Sequence, residues 1–433
     1  MKVQGIFTRH EFDLRVDRVR ALMAQRGLDA CLIASPENIY YLTGLDHQGY
    51  FASHILIVPM EGRLMLVTRA MEHAIVRDMV PDIRHIGYQD GAPPLPPPTD
   101  RTADIIMSSQ DPAGQPVGLR PWETSAGMVT RDPRGEAARS SAAAQATAAA
   151  LLEHGWEKAR LGLEENSAFL TFRIAREVLD ALPDARWEDC SGLVEDCRLI
   201  QTPAERQITR RAAEVSDAMM LSAVAAAGPG VAQKEIMAAL YQAMFHRGGS
   251  YPGFIPLVRS TRTIEHEHGT WQEDKLRHGD MLFLEMAGCV RRYHAPMGRL
   301  LFVGRAPRSA DRMLKVCDEA IEAAAEAIRP GVRARDVYAS WHKVLQRHGL
   351  DRYRRHHCGY AVGIGFPPSW SGSGVPIGLR ETSNMELRTG MVFHLMSWLL
   401  RTGRGDSFLS DTVLVTENGC ERLTRASRAL TVR

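Results

Sequence analysis

Residues 263–304 read TIEHEHGTWQEDKLRHGDMLFLEMAGCVRRYHAPMGRLLFVG. The stretch opens on a histidine-rich loop, with His266 and His268 among acidic residues, and passes through a polar turn at Arg277-His278-Gly279-Asp280. Residues 281–288 are apolar apart from Glu285 and short enough for a buried strand. A second strand at 300–303 is expected after a tight corner at Pro296-Met297-Gly298. A carboxylate inside an apolar strand is costly unless it is paired, hydrogen-bonded or neutral. Glu285 is therefore either half of a buried ion pair with an arginine or a group kept for chemistry.

The layout resembles the M24 or "pita-bread" metallopeptidase family of methionine aminopeptidase, Xaa-Pro peptidase and creatinase. In that family a Gly-Asp turn leads into a strand bearing a first metal-binding Asp. A second Asp sits on the next strand before a Thr-Arg pair, and a histidine lies ahead of the turn. His268, Gly279-Asp280 and Arg299 fall at matching positions. The resemblance implies an α+β fold, with a pita-bread domain at 197–433 behind a smaller α/β creatinase-like N-terminal domain at 1–196. A Pro/Ala-rich insertion at about 91–150 is extra to the pattern.

The metal set departs from the family. Glu285 stands for the first Asp, Pro296 for the second, Tyr360 for the ligand histidine and Met396 for a glutamate. The last glutamate falls at Ser410 or Asp411. At least three of these groups cannot hold a hard or borderline divalent cation, so a site with neither metal nor cofactor is expected. His356-His357-Cys358 looks like a metal cluster, but neighbours on a strand point to opposite faces and do not easily share an ion.

Within the family the pattern is similar to the ectoine hydrolase branch. The similarity rests on Glu285-Met286-Ala287-Gly288-Cys289, Arg292-Tyr293-His294-x-Pro296, Gly359-Tyr360, Pro367-Pro368-x-Trp370 and Gly390-Met391-x-Phe393-His394-x-Met396. The glutamates that creatinase uses on its substrate fall at Gly298 and Met396. The branch implies metal-independent hydrolysis of a C–N bond in a small cyclic amidine or amide-like substrate. An amidinium already carries positive charge and can dispense with a Lewis acid. Glu285 would bind the cation and hold the water, and His268 would shuttle protons. Tyr293, His294, Tyr360 and His394 would hydrogen-bond the ring, with Trp370 and Phe393 as walls. Arg299 could meet a substrate carboxylate, although the corresponding family arginine is often structural. His268 could equally be a solvated loop residue, and His294 and His394 core histidines. The rivals are a metal-dependent Xaa-Pro peptidase and a non-catalytic binding protein on the same fold.

A chain of 433 residues is long enough for two domains with buried cores. Its formal charge of +2, without a basic run, gives no reason to expect a nucleic-acid surface. Seven scattered cysteines without a Cys-x-x-Cys pair suit a reducing cytosol. No apolar signal core and no long apolar run is present, so a cytoplasmic protein without membrane attachment is expected.

Along the chain, a helix is expected at 8–26, stopped by Gly27, then a strand at 30–34 and a turn leading into Asn38-Ile39-Tyr40-Tyr41. This segment resembles the creatinase N-terminal domain, in which the loop that follows reaches the partner subunit's active site. The resemblance thus implies a homodimer whose loop 46–53, with Tyr50 and Phe51, touches substrate. Tyr40 and Tyr41 read as core; for Tyr50 and Phe51 core and site remain open. Residues 91–99 (GAPPLPPPT) read as a stiff extended connector. The second domain reads as helices at 204–227, 233–247, 310–328 and 334–349, with strands at 356–365, 391–399 and 411–416.

Overall fold

The computed structural model describes residues 7–88, 141–353, 355–372 and 376–433. The proline-rich connector at 91–99 lies outside the described residues, as does the first part, 134–140, of the alanine-rich stretch. The described chain forms two compact units that divide between Cys197 and Arg198. None of its helices is long and apolar enough to cross a membrane.

The first unit carries a six-stranded sheet built from β1 (Ala30–Ile33), β2 (Ile55–Pro59), β3 (Met65–Arg69), β4 (Arg84–Tyr88), β5 (Arg160–Leu163) and β6 (Arg186–Asp189), in the order β4-β3-β2-β1-β5-β6. Its opening helix is Arg9–Arg26: the Thr8 hydroxyl accepts from Glu11 N–H, and Gly27 ends the helix in the left-handed region at φ 65°. The turn expected before Tyr40 is instead a helix, Pro36–Thr43. Pro36 at its first position and Gly44 at its end, φ 80°, supply the start and stop signals. The buried Glu164 carboxylate accepts from Ala34 N–H, Ser35 N–H and the Asn38 side chain, and so fixes the start of that helix.

The second unit is one sheet with helices on one face. Its strands are β7 (Leu257–Ser260), β8 (Met281–Val290), β9 (Tyr293–Phe302), β10 (Gly359–Ala361), β11 (Val392–Leu399), β12 (Ser407–Val415) and β13 (Cys420–Arg422), in the order β10-β11-β12-β9-β8-β7 with β13 beside β12. Two helices, Pro203–Ala226 and Gln233–His246, precede β7-β8-β9. Two more, Ala310–Ala327 and Ala334–Arg347, precede β10-β11-β12. The halves meet at β9 and β12 in mirrored order, each contributing two helices and three strands.

Helix Pro203–Ala226 starts at a reciprocal cap between Thr202 and Glu205. It lies close on β8 because Gly288 has no side chain: a Cβ there would sit 2.3 Å from the Ala212 carbonyl oxygen. The Ser216 hydroxyl fills the gap, accepting from Gly288 N–H (2.7 Å) and donating to Ala295 O (2.5 Å).

Three expectations change here. The β8–β9 hairpin turns at Arg291-Arg292, both with positive φ (47° and 64°), a two-residue primed turn, and not at Pro296. β9 runs straight through Pro296, which pairs with Ala287. A proline lacks an N–H for one neighbour, and the β9–β12 ladder accordingly stops at Gly298 opposite Ser410. Thr412 Oγ1 donates to the Pro296 carbonyl instead, at 2.7 Å. Third, the strand expected at 356–365 shrinks to β10. His356 and His357 precede it, with rings 4.2 Å apart, so strand alternation does not separate them.

Candidate active site

Strand alternation and register decide which side chains share the open face of the second sheet. Gly288 faces the helix, so Glu285, Phe283 and Ala287 face the other way. Opposite Glu285 lies Gly298, and Leu257 pairs with Glu285 from β7. On β11 and β12, His394, Met396 and Trp398 pair with Thr412, Ser410 and Phe408. Tyr360 on β10 pairs with His394. Around Glu285 the face is apolar: Leu257, Phe283, Met396, Phe408, Tyr360 and Trp398 belong to one cluster.

Glu285 is 5 % exposed, and its carboxyl is pushed up to about 7. Burial is the largest cause and outweighs the opposing pull of Arg259 and Arg355. His394 is its close neighbour, with Nε2 3.8 Å from Oε1. The fully buried His394 is pushed down to about 3 by the same desolvation and is neutral at physiological pH. His394 Nδ1 is 3.0 Å from the Tyr360 hydroxyl, and Trp370 Nε1–H donates to that hydroxyl at 2.9 Å. Burial raises the Tyr360 phenol, which stays protonated.

The structure sorts the residues singled out in the sequence. Glu285, His394, Tyr360 and Trp370 come together. Tyr293 does not: it faces the helix side, where its hydroxyl donates to Glu205 Oε1 at 2.7 Å. Phe393 is likewise on the helix face, packed with Trp341, Val316 and Leu395. Both are core residues rather than walls of the site, one step out of phase with their neighbours His294 and His394. His294 has both ring nitrogens engaged, Nε2 accepting from Gly253 N–H (2.7 Å) and Nδ1 facing Gly363 O (3.3 Å); it ties two loops together. Arg299 also points to the helix side and is saturated. Its guanidinium reaches Ser427 O, Gly298 O, Ser410 O, Ala426 O and Asp411 Oδ1, so its role is structural. His268 is an exposed loop residue whose ring stands edge-on to Phe254 at 5.9 Å. Phe254 in turn meets Trp370 at 5.1 Å, so His268 joins the site's aromatic residues through Phe254. In the first unit Tyr50 stands edge-on to Phe169 at 5.6 Å, while Phe51 is 77 % exposed under the Arg69 guanidinium.

Register also separates Ser410 from Asp411. Ser410 pairs with Met396 and faces the site, whereas Asp411 faces the Arg299 side. On the open face, the positions at which the resemblance sets the family's ligands are held by Glu285, Pro296, Tyr360, Met396 and Ser410. One carboxylate, a phenol held in its protonated form, a thioether and a hydroxyl do not make a site for a divalent ion of the family. No group of three His, Cys, Asp or Glu side chains that could hold a metal occurs among the described residues.

Arg259 and Arg355 were missed in the sequence. Arg259 follows Pro256-Leu257-Val258, a charge at the end of an apolar run. That is the signal that singled out Glu285, applied one strand earlier.

Residues 207–417 match the family described as Metallopeptidase family M24, and residues 15–200 match the Creatinase/Prolidase N-terminal domain. Ectoine hydrolase of Halomonas elongata is 27% identical over 437 residues, covering 99% of this chain and 98% of that protein. Creatinase of a Bacillus species is 24% identical, covering 98% and 93%. Among solved structures, the Xaa-Pro dipeptidase from Bacillus anthracis superposes with a TM-score of 0.74 at 20% identity, over 98% of this chain and 100% of that one. This chain belongs to the M24 family, with a creatinase/prolidase N-terminal domain ahead of its pita-bread domain.

Proposed function

We propose that the protein is a hydrolase that opens a C–N bond of a small cyclic amidine or amide-like substrate without a metal ion, in the manner its similarity to ectoine hydrolase suggests. The observation that carries this reading is the setting of Glu285: a lone carboxyl on an apolar face, poised near neutrality, 3.8 Å from a neutral imidazole. A base with its pKa near the working pH combines adequate ionisation with adequate driving force.

The chemistry follows from these groups. An amidinium beside Glu285 favours the ionised carboxylate, since an opposite charge lowers a carboxyl pKa. The carboxylate then takes a proton from water as the water oxygen bonds to the N–C–N carbon. It returns that proton to the ring nitrogen as the C–N bond breaks, and the remaining hydroxyl proton passes to the freed amine as the carbonyl forms. Proton transfer runs through Glu285 and not through His268. His394 stays neutral and is available to donate to the developing oxygen. Trp370 and Phe254 wall the rim.

The test is Glu285→Gln, which keeps the size and removes the charge. With cyclic amidines as substrates and product followed by mass spectrometry, turnover should fall by about 10²–10⁴-fold. Unchanged turnover in a folded variant would make the carboxylate structural and sink the proposal. The metal-dependent dipeptidase alternative would instead cleave Xaa-Pro dipeptides and lose activity to a chelator.

A further inference from the structure

We propose that Arg292 is a positioning residue for Trp370, acting through the two loops that grip the tryptophan's backbone; this rests on the hydrolytic reading above. Arg292 is fully buried at the β8–β9 turn, with φ at 64°. Its guanidinium lies 4.1 Å over the Tyr251 ring and 4.7 Å over that of Phe366. Nη2 donates to Tyr251 O at 2.8 Å and reaches Cys289 Sγ at 3.4 Å. Nε and Nη1 are buried without a hydrogen-bond partner among the described residues. Two rings, a carbonyl and a thiol surround the cation, and no carboxylate pairs with it among those residues. An unpaired buried charge is costly, and an apolar side chain would fill the space at less cost. What the guanidinium supplies instead is a plane that stacks on two rings at once and a donor for the carbonyl beside one of them.

Tyr251 and Phe366 belong to the two loops in question. The Arg292 carbonyl accepts from Gly365 N–H at 3.0 Å, and two residues on, His294 Nε2 accepts from Gly253 N–H at 2.7 Å. Those two glycines close on the same piece of chain. A Cβ at Gly253 would lie 2.2 Å from Ser369 O and 3.2 Å from Trp370 N. One at Gly365 would lie 2.5 Å from Ser369 O and 2.7 Å from the Trp370 Cα. The backbone at Ser369-Trp370 is thus packed against two glycines, one tied to Arg292 and the other to His294. From there the indole reaches out to donate to the Tyr360 hydroxyl at 2.9 Å, beside His394. A loosened loop would carry the indole N–H away from the phenol oxygen, since contacts this close transmit displacement.

The test is a double-mutant cycle of Trp370→Phe with Arg292→Met, which keeps an unbranched chain and loses the plane and the charge. Turnover per folded molecule is followed on cyclic amidines by mass spectrometry. Acrylamide quenching of fluorescence is read as the difference between each protein and its Trp370→Phe counterpart, which isolates Trp370 from the other tryptophans. Arg292→Met should lower turnover about 10-fold, and should cost nothing further in the Trp370→Phe background. Trp370 should lose its shielding from acrylamide in Arg292→Met, and Arg292→Lys, which keeps the cation and a donor, should recover part of both losses. The wild-type reading stands even if a variant of this buried residue fails to fold: Trp370 should be shielded there, and a freely quenched Trp370 would overturn the proposal. So would equal shielding in wild type and folded Arg292→Met, or losses of turnover that add in the double mutant. Lost shielding in Arg292→Met, with no cyclic amidine turned over by the wild type, would leave Arg292 its role and defeat the hydrolytic reading. Wild-type turnover with shielding unchanged in the variant would do the reverse.

Discussion

Trp370 Nε1–H donates to the Tyr360 hydroxyl at 2.9 Å, and this one bond fixes the tautomer of His394. An indole N–H is only a donor, so the phenol oxygen must accept it. Among the described residues the phenol proton then has one remaining partner, His394 Nδ1 at 3.0 Å. Nδ1 therefore accepts, and the imidazole proton sits on Nε2, the nitrogen that faces Glu285. Were Nδ1 protonated, the phenol would hold a buried proton with no acceptor. Tyr360→Phe should release this constraint while keeping the ring. Turnover is expected to fall by about 10²-fold, the scale of one misdirected proton donor, with thermal stability little changed. Trp370→Phe should act in the same direction and more weakly. Equal turnover in Tyr360→Phe and wild type would remove the relay from the mechanism.

Asp411 tests the structural half of the account. It is fully buried, accepting from Arg299 (2.9 Å) and Thr424 (2.8 Å) on one oxygen and from Arg428 (2.7 Å) on the other. Asp411→Asn leaves the buried Arg299 without its counter-charge, while Arg428 keeps Asp318 and Glu322, and should cost about 3–5 kcal/mol in urea unfolding. Activity per folded molecule should be retained. Loss of activity without loss of stability would return Asp411 and Arg299 to the site.

Acid should destabilise the fold. His294, His357 and His394 in the second unit, and His54 and His85 in the first, are all pushed down by burial from 6.5 to about 3. Folded, they stay neutral while the unfolded chain takes up protons. Their contribution is complete above 6.5 and is lost as pH falls from there towards about 3. Glu285 works in the opposite sense, since its raised carboxyl holds a proton in the fold between its ordinary range and about 7. Glu164, likewise raised to about 7 by burial, works in the same sense, and two such groups do not offset five. The urea midpoint should drop between pH about 7 and about 5, and His54→Gln should flatten that slope. A midpoint that holds or rises would contradict this assignment.

The homodimer remains a proposal, with Phe51 as its probe. An exposed aromatic at the tip of the 46–53 loop is suited to reach a partner's pocket. Light scattering should give a dimer, and Phe51→Ala should weaken substrate binding without unfolding the chain. A fully active monomer would rule the arrangement out.

The sequence made Glu285 legible because a charge stands out in an apolar strand, and His394, Tyr360 and Trp370 because their motif spacing is preserved. It misplaced Tyr293 and Phe393 for a reason that was itself legible. Each adjoins a histidine on the open face, and a period of two sends adjacent residues to opposite faces. Pro296 was misread as a corner because a proline within a central strand is rare. It is tolerated because, on its β12 side, the β9 ladder ends at Gly298, a long-range fact. The choice between Ser410 and Asp411 likewise waited on the β11–β12 register, which no local pattern reports.

The central claim is that Glu285, and not a metal ion, drives hydrolysis. The measurement that tests it most directly is turnover of a cyclic amidine substrate by metal-stripped enzyme held in strong chelator. The account expects the rate to equal that of untreated enzyme and to be unmoved by added zinc or manganese. A rate abolished by the chelator and restored by either ion would contradict it.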